Sequence, residues 1–285
     1  MFSALRTNLE AAGSAGGNVK YKLLAVDVDG TLLDDKHRLS ENNRRAIGDI
    51  RKEGVKVIPF SGRGYPALKG IIETLKLEEA VVTQNGSLVL DYTGNKILHA
   101  ELISSENCRK ILDYCRAHLY QPLIYQKDQV YSGLKGTYLE IFEKCMGQRV
   151  VYTEDVGMCY NNTPLGKILI LDEPCRVTQF REWVSAAFGG VVSADRAYDF
   201  SLELGGSDKG RALAWIGSYY HIEPGEMVAI GDGENDKSML EYAGLSIAMQ
   251  GAMEGVKQAA GKVTLSNNES GVAYAIEKYV RCKIS

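Results

Sequence analysis

Apolar and polar positions alternate in two different rhythms along this chain. Tyr21 to Val28 (YKLLAVDV) is a nearly continuous apolar run, the pattern of a strand buried on both faces of a parallel sheet. Ser40 to Glu53 follows with Ala46, Ile47 and Ile50 at helical spacing, Ser40 placed as an N-cap and Gly54 placed just past the end. Val55 to Phe60 predicts a second strand, Tyr65 to Leu77 a second helix with Pro66 in its first turn, and Ala80 to Thr83 a third strand. Strands alternating with helices in this way imply right-handed crossovers and a parallel sheet.

The rhythm then changes. Ser87 to Asp91 and Lys96 to Glu101 flank Tyr-Thr-Gly-Asn, a hairpin signal. Ser105 to His118 predicts a helix, and Pro122 to Tyr125 and Gln129 to Tyr131 predict strands. Later runs are Ile168 to Leu171, a helix from Arg176 to Phe188, Val191 to Ser193, and Phe200 to Leu204. This middle third reads α+β. From Asp208 the first rhythm returns: helices at Lys209 to Tyr220, Asn235 to Tyr242, Met253 to Ala260 and Gly271 to Tyr279 alternate with strands at Met227 to Ile230, Leu245 to Ala248 and Val263 to Leu265. The simplest organisation is one discontinuous α/β domain, residues 20–85 plus 205–285, with an α+β domain inserted over 86–204. Residues 1–19 are rich in small residues, lack an apolar core of signal-peptide length, and read as an extension or tag-like linker.

Composition narrows the function. The 285 residues are 45% hydrophobic and 24% charged, enough for a real core and more than one ordinary α/β domain needs. A net charge of −3 argues against nucleic-acid binding, and no apolar run reaches the roughly 20 residues of a membrane helix. The six cysteines form no C-x-x-C pair and no zinc spacing, so free thiols in a reducing cytoplasm are expected. Tyrosine is concentrated in the middle third, which fits its preference for sheets.

Three short segments carry chemistry. Asp27-Val28-Asp29-Gly30-Thr31 stands at the carboxyl end of the first strand, where open α/β sheets bind ligands. Two carboxylates there need a cation or donors, and a hard ion such as Mg²⁺ suits them. A calcium loop is excluded, because Leu32 and Arg38 occupy its required glycine and glutamate positions. Ser61-Gly62-Arg63-Gly64 ends the second strand and offers a hydroxyl and backbone N–H groups to an anion, without the P-loop pattern. Gly231-Asp232-Gly233-Glu234-Asn235-Asp236 again crowds acids at a strand's carboxyl end; Asp232 reaches the same metal if its strand neighbours the first. Lys209 opens a helix, where its charge opposes the helix dipole unless an anion lies near.

These segments, in this order, resemble the four motifs of the haloacid dehalogenase (HAD) superfamily. Ser-Gly-Arg, Thr83-Gln84-Asn85-Gly86 and Asp208-Lys209-Gly210 resemble its Cof-type (subclass IIB) sugar phosphatases. The resemblance covers residues 20–281. It implies a Rossmann-like parallel-sheet core with an inserted α+β type-II cap. It also implies a phosphatase that forms an aspartyl-phosphate on Asp27. In that family's scheme Asp29 is the general acid and base, Mg²⁺ is held by Asp27, Asp232 and the backbone carbonyl of Asp29, and Asp236 orients ligands from behind. Ser61, Gly62, Lys209 and Asn235 hold the phosphoryl group, and Thr31 supports the loop. The implied substrate is a small phosphorylated metabolite, most simply a sugar phosphate. The rivals are a phosphomutase-type transferase using the same aspartyl-phosphate, and a phospho-acceptor signalling domain, which would carry its aspartate on a middle strand. A dinucleotide binder fails for want of G-x-G-x-x-G after the first strand.

Overall fold

The computed structural model describes residues 20–126, 129–146, 149–196 and 198–281; the expected N-terminal extension and Cys282 lie outside the described residues. The chain opens with β1 (Leu23–Asp27), α1 (Glu41–Lys52), β2 (Lys56–Phe60), α2 (Tyr65–Leu75) and β3 (Val81–Thr83). Every residue of β1 is buried. Leu24 and Val26 enter the core beneath α1 and α2, and Leu23 and Ala25 enter the core on the opposite face. That two-sided burial is why the strand reads as an unbroken apolar run. The caps form as the residues predict: Ser40 Oγ accepts from the Asn43 N–H at 3.2 Å, and Gly54 takes φ +91°.

Next come the hairpin strands β4 (Leu88–Leu90) and β5 (Ile97–Ala100). Then follow α3 (Ser105–Ala117), β6 (Pro122–Gln126), β7 (Gln129–Ser132), α4 (Thr137–Met146), β8 (Val151–Tyr152) and α5 (Val156–Cys159). After them come β9 (Lys167–Leu171), α6 (Pro174–Phe188), β10 (Ser193–Asp195) and β11 (Ser201–Gly205). The last third contains α7 (Lys209–Tyr220), β12 (Met227–Gly231), α8 (Lys237–Tyr242), β13 (Leu245–Ala248), α9 (Glu254–Ala259), β14 (Lys262–Val263) and α10 (Gly271–Ala275).

Two sheets organise these elements. The first has eight strands in the order β14-β13-β12-β1-β2-β3-β4-β5. It is parallel from β14 to β3 and antiparallel across β4 and β5. β12 pairs directly beside β1, so the loops that end β1, β2 and β12 emerge side by side at one edge. The second sheet has six strands, β10-β11-β9-β6-β7-β8, antiparallel except between β7 and β8.

The sheet changes after β5 rather than at residue 86. Leu88–Leu90 pair antiparallel with Val81–Thr83, which makes the hairpin an extension of the first sheet. Residues 101–121 then lead into the second sheet.

One face of the second sheet is packed by α3 and α6 through Cys108, Ile111, Phe180 and Val184. In the same cluster Tyr114 lies flat on Trp183. Its other face carries Leu123, Leu169 and Leu171 with Phe142 of α4, and looks onto the carboxyl ends of the first sheet. α4, β8 and α5 are elements the sequence pattern leaves unassigned. Cys108, Cys115, Cys159 and Cys175 are free. Among the described residues no helix is long and apolar enough to cross a membrane.

Candidate active site

The site grows from the end of β1. Asp27 is its last residue and is 6% exposed. The chain then turns through Gly30 at φ +76°. A Cβ there would collide with the Asp232 carboxylate, so only glycine lets the two loops approach. Thr31 Oγ1 donates to Asp232 Oδ1 at 2.6 Å and ties the β1 loop to the β12 loop, 201 residues away in sequence.

Asp236 closes the β12 loop on itself. Its Oδ2 accepts from the N–H groups of Asp232 and Gly233 at 2.9 and 2.8 Å. Its Oδ1 faces Lys209, whose Nζ lies 2.6 Å from it and 2.5 Å from Asp27 Oδ1. Lys209 is fully buried. Its position at the start of α7, unfavourable to the helix dipole, is resolved by these two carboxylates. Asp208 caps the helix by accepting from the N–H groups of Gly210 and Arg211.

Oxygens of Asp27, Asp232 and Asp236 all lie within 4.8 Å of one another. Three carboxyl groups therefore face one ammonium. Burial pushes Asp27 well above the ordinary carboxylate range, Asp236 adds to the shift, and Lys209 only partly offsets it. Burial, then Asp236, pushes Asp232 up to about 7. Burial works against the Lys209 ammonium, yet Asp236 and Asp27 hold it charged beyond the ordinary lysine range. Such a cluster lacks positive charge. A hard divalent cation fits it, with oxygen donors already gathered and no soft ligand among them. The Asp29 carboxylate is not part of this cluster. Its two oxygens face Arg63 Nε and Nη2 at 2.7 and 2.5 Å, with His37 Nδ1 3.6 Å away.

The β2 loop completes the floor. Ser61 is 1% exposed, and its Oγ accepts from the Arg63 N–H at 3.1 Å. Asn235 Nδ2 donates to Asn85 Oδ1 at 3.0 Å. Asp27, Asp29, Gly62, Asp232, Asn235 and Asp236 border a cavity of about 320 Å³ between the two sheets; Thr31, Ser61 and Lys209 stand behind its surface.

Sequence reasoning gave no role to Arg63, Asn85, Lys167 and Glu203. Lys167 Nζ reaches Glu203 Oε1 at 2.5 Å and the Gly62 carbonyl at 3.0 Å, and Glu203 Oε2 accepts from Asn85. This buried group joins the second sheet to the β2 loop. Arg181 of α6 joins it to the β12 loop, with Nη2 2.8 Å from Glu234 Oε1. Arg63 and Asn85 sit inside segments whose pattern was visible. Lys167 and Glu203 carry only the signal of a lone charge in an apolar strand.

This fold and acidic cluster define a hydrolase, and the chain belongs to the family of haloacid dehalogenase-like hydrolases, whose model matches residues 24–276. Its relatives place it more closely. It is 29% identical to the phosphatase YwpJ of Bacillus subtilis, over 90% of this chain and 99% of that protein. It superposes on a haloacid dehalogenase-like hydrolase from Bacteroides thetaiotaomicron with a TM-score of 0.79, at 27% identity over 90% of this chain and 99% of that one. It shares its fold with the HAD subclass IIB sugar phosphatase BT4131, with a TM-score of 0.79 at 22% identity over 90% and 98% of the two chains. The protein is thus a phosphatase of the haloacid dehalogenase-like family, with an acidic cluster that could hold a metal ion.

Proposed function

We propose that the protein hydrolyses a small phosphorylated metabolite, with Mg²⁺ as its metal and Asp27 as its nucleophile. The observation that carries this reading is the excess of buried carboxyl groups over cations at the ends of β1 and β12, in a cavity floored by the Ser61–Gly62 loop. Asp27, Asp232 and the main chain of Asp29 would hold the ion, which when bound offsets the repulsion between carboxylate and phosphate.

In the first half-reaction an Asp27 oxygen bonds to phosphorus as the bond from phosphorus to the alcohol oxygen breaks. Asp29, which must enter this step protonated, gives its proton to that departing oxygen. In the resting arrangement both Asp29 oxygens face Arg63, so the carboxyl turns from the guanidinium to do so. In the second half Asp29 takes a proton from water as the water oxygen bonds to phosphorus, and the bond from phosphorus to Asp27 breaks. Phosphate leaves and both carboxyl groups return to their starting state. Ser61, the Gly62 N–H, Lys209 and Asn235 hold the phosphoryl oxygens, and Asp236 keeps Lys209 and the β12 loop in place. The free thiols suit a reducing, cytoplasmic setting.

Phosphate release from acetyl phosphate, assayed with Mg²⁺ and again in EDTA, tests the reading. Turnover is expected only with the metal, and full activity in EDTA would overturn it. Phosphate passed to a second sugar, rather than to water, would instead mark a transferase.

Melting curves test the metal independently of turnover. With a folded-state value of about 7, well above the unfolded aspartate, Asp232 keeps a proton in the fold that the unfolded chain loses. Its contribution to metal-free stability is therefore present at low pH and is lost as pH rises towards about 7. Mg²⁺ should raise the Tm more at pH 8 than at pH 5, where protons compete for the same oxygens. Equal increments at the two pH values would count against the site.

A further inference from the structure

The roof of the cavity is the face of the second sheet that carries Leu169 and Leu171, with Phe142 beside them. One buried ion pair interrupts this apolar surface. Lys167 is 1% exposed and Glu203 is 6% exposed. Such a pair adds little to stability over apolar side chains of the same volume, so its worth lies in what it holds. Both partners reach out of their own sheet, to the loops of the first sheet that floor the cavity.

The β2 loop is held carbonyl by carbonyl. The Ser61 carbonyl accepts from the Asn85 N–H at 3.0 Å, and the Arg63 carbonyl accepts from the Gln84 N–H at 3.1 Å. Both of these donors belong to the first sheet's own loops. The carbonyl between them, that of Gly62, accepts from Lys167 Nζ at 3.0 Å. The N–H of a planar trans peptide points opposite to its carbonyl, so each hold also aims a donor. Fixing the Gly62 carbonyl aims the Arg63 N–H at Ser61 Oγ, 3.1 Å away. With that acceptor site filled, the serine keeps its own proton for another oxygen. Fixing the Ser61 carbonyl aims the Gly62 N–H, which has no acceptor among the described residues.

Lys167 is itself fixed from three sides. Its Nζ meets Glu203 Oε1 at 2.5 Å and the Gly62 carbonyl, and it lies over the Tyr125 ring, 5.2 Å from the centroid. Glu203 supplies the counter-charge and accepts from Asn85 with its other oxygen. These groups converge on one point. A Cβ on Gly62 would stand 2.9 Å from Asn85 Oδ1, 3.3 Å from Glu203 Oε2 and 3.5 Å from Lys167 Nζ.

We propose that Lys167 is a positioning residue for the phosphoryl group: from the second sheet it holds the Gly62–Arg63 peptide, and through that peptide it sets the Ser61 hydroxyl as a donor. The loop is then in order only while the second sheet is seated on it, which couples enclosure of the substrate to the grip on its phosphate. This role presupposes the phosphatase reading above.

The test compares the unaltered protein with Lys167→Met and with the double variant Lys167→Met/Glu203→Gln. Each is measured by Tm, by kcat and KM for acetyl phosphate with Mg²⁺, and by competitive inhibition with inorganic phosphate. Lys167→Met strands the Glu203 carboxylate at the cavity wall and should lower stability and turnover together. The double variant removes that charge and leaves an amide oxygen to accept from Asn85, so its Tm should return close to that of the unaltered protein. The Gly62 carbonyl still lacks its donor. The double variant's kcat/KM is therefore expected to stay about tenfold or more below the unaltered value, with the phosphate inhibition constant raised several-fold. In a Ser61→Ala background the same double substitution should cost little further, because both act on one donor.

A double variant that regained both its Tm and its kinetics would show that the pair is only structural; the positioning claim would fail and the phosphatase would stand. A loss undiminished in the Ser61→Ala background would also overturn the claim, since Lys167 would then act through another group. If the unaltered protein neither hydrolyses acetyl phosphate nor binds phosphate, both readings fail together. Should the methionine variants not fold, Lys167→Gln/Glu203→Gln takes their place, with two amides that can pair with each other and the same loss expected.

Discussion

Asp27→Asn is expected to lower phosphate release by at least about a thousandfold while leaving the fold intact, a loss of roughly 4 kcal/mol or more of transition-state stabilisation. The amide keeps the shape of the side chain at the end of β1 but has no anionic oxygen to bond to phosphorus. The sign of the stability change separates a nucleophile from a structural acid. Asp27 is buried beside Asp236 and pushed well above its ordinary range, so its charge costs the fold something at neutral pH. Removing that charge should leave the metal-free Tm unchanged or higher. A variant that lost activity and also melted lower would indicate a damaged fold. Appreciable residual turnover in a well-folded variant would sink the nucleophile assignment.

Lys209→Met should do the reverse, damaging stability first. The ammonium bridges Asp27 and Asp236 with no exposure to solvent. Methionine fills the volume but leaves the buried carboxyl groups with no cation. Breaking a buried pair in this way costs about 3–5 kcal/mol, which in a chain of this size lowers the Tm by roughly 6–20 °C. Because the uncompensated groups are acids, protonation relieves them. The deficit in metal-free buffer should therefore shrink from pH 8 to pH 5. A deficit that grew towards low pH would mean that Lys209 acts through something other than Asp27 and Asp236.

The alternating core was readable because its physics is local. β1 shows itself as an apolar run since both faces are buried, and α1 announces its ends through Ser40 and Gly54. The acidic motifs were readable because strand ends are where ligands bind, and β12 does lie against β1, which brings Asp232 to Asp27.

Other parts could not be read in this way. The β4–β5 hairpin has an ordinary antiparallel pattern, and nothing in such a pattern says which sheet it will join. α4 follows Gly133 and Gly136 and is rich in aromatic and branched residues, which mask its helical period. The most instructive omission is Lys167 with Glu203. They lie on different strands, and only the register of β9 against β11, with Gly205 opposite Lys167 and Glu203 opposite Leu169, sets them diagonally adjacent. The polarity of the roof is likewise a property of pairing. Glu203 lies in an apolar run of the sequence, and only the folded arrangement sets its oxygens beside Lys167 and Asn85.

The position of β12 in the first sheet has a consequence for how the chain comes to be folded. β1 is made before both of its neighbours, and β2, which follows it closely in the chain, joins one of its sides early. Its other side pairs with residues 227–231, some two hundred residues later. Until that stretch emerges, Leu23–Asp27 is an apolar sheet edge with open hydrogen-bonding groups, the arrangement most prone to join a foreign strand. Synthesis therefore passes through a long interval in which the strand bearing Asp27 has an open edge, and the arrival of the Asp232 loop ends that interval in the same step that completes the acidic cluster.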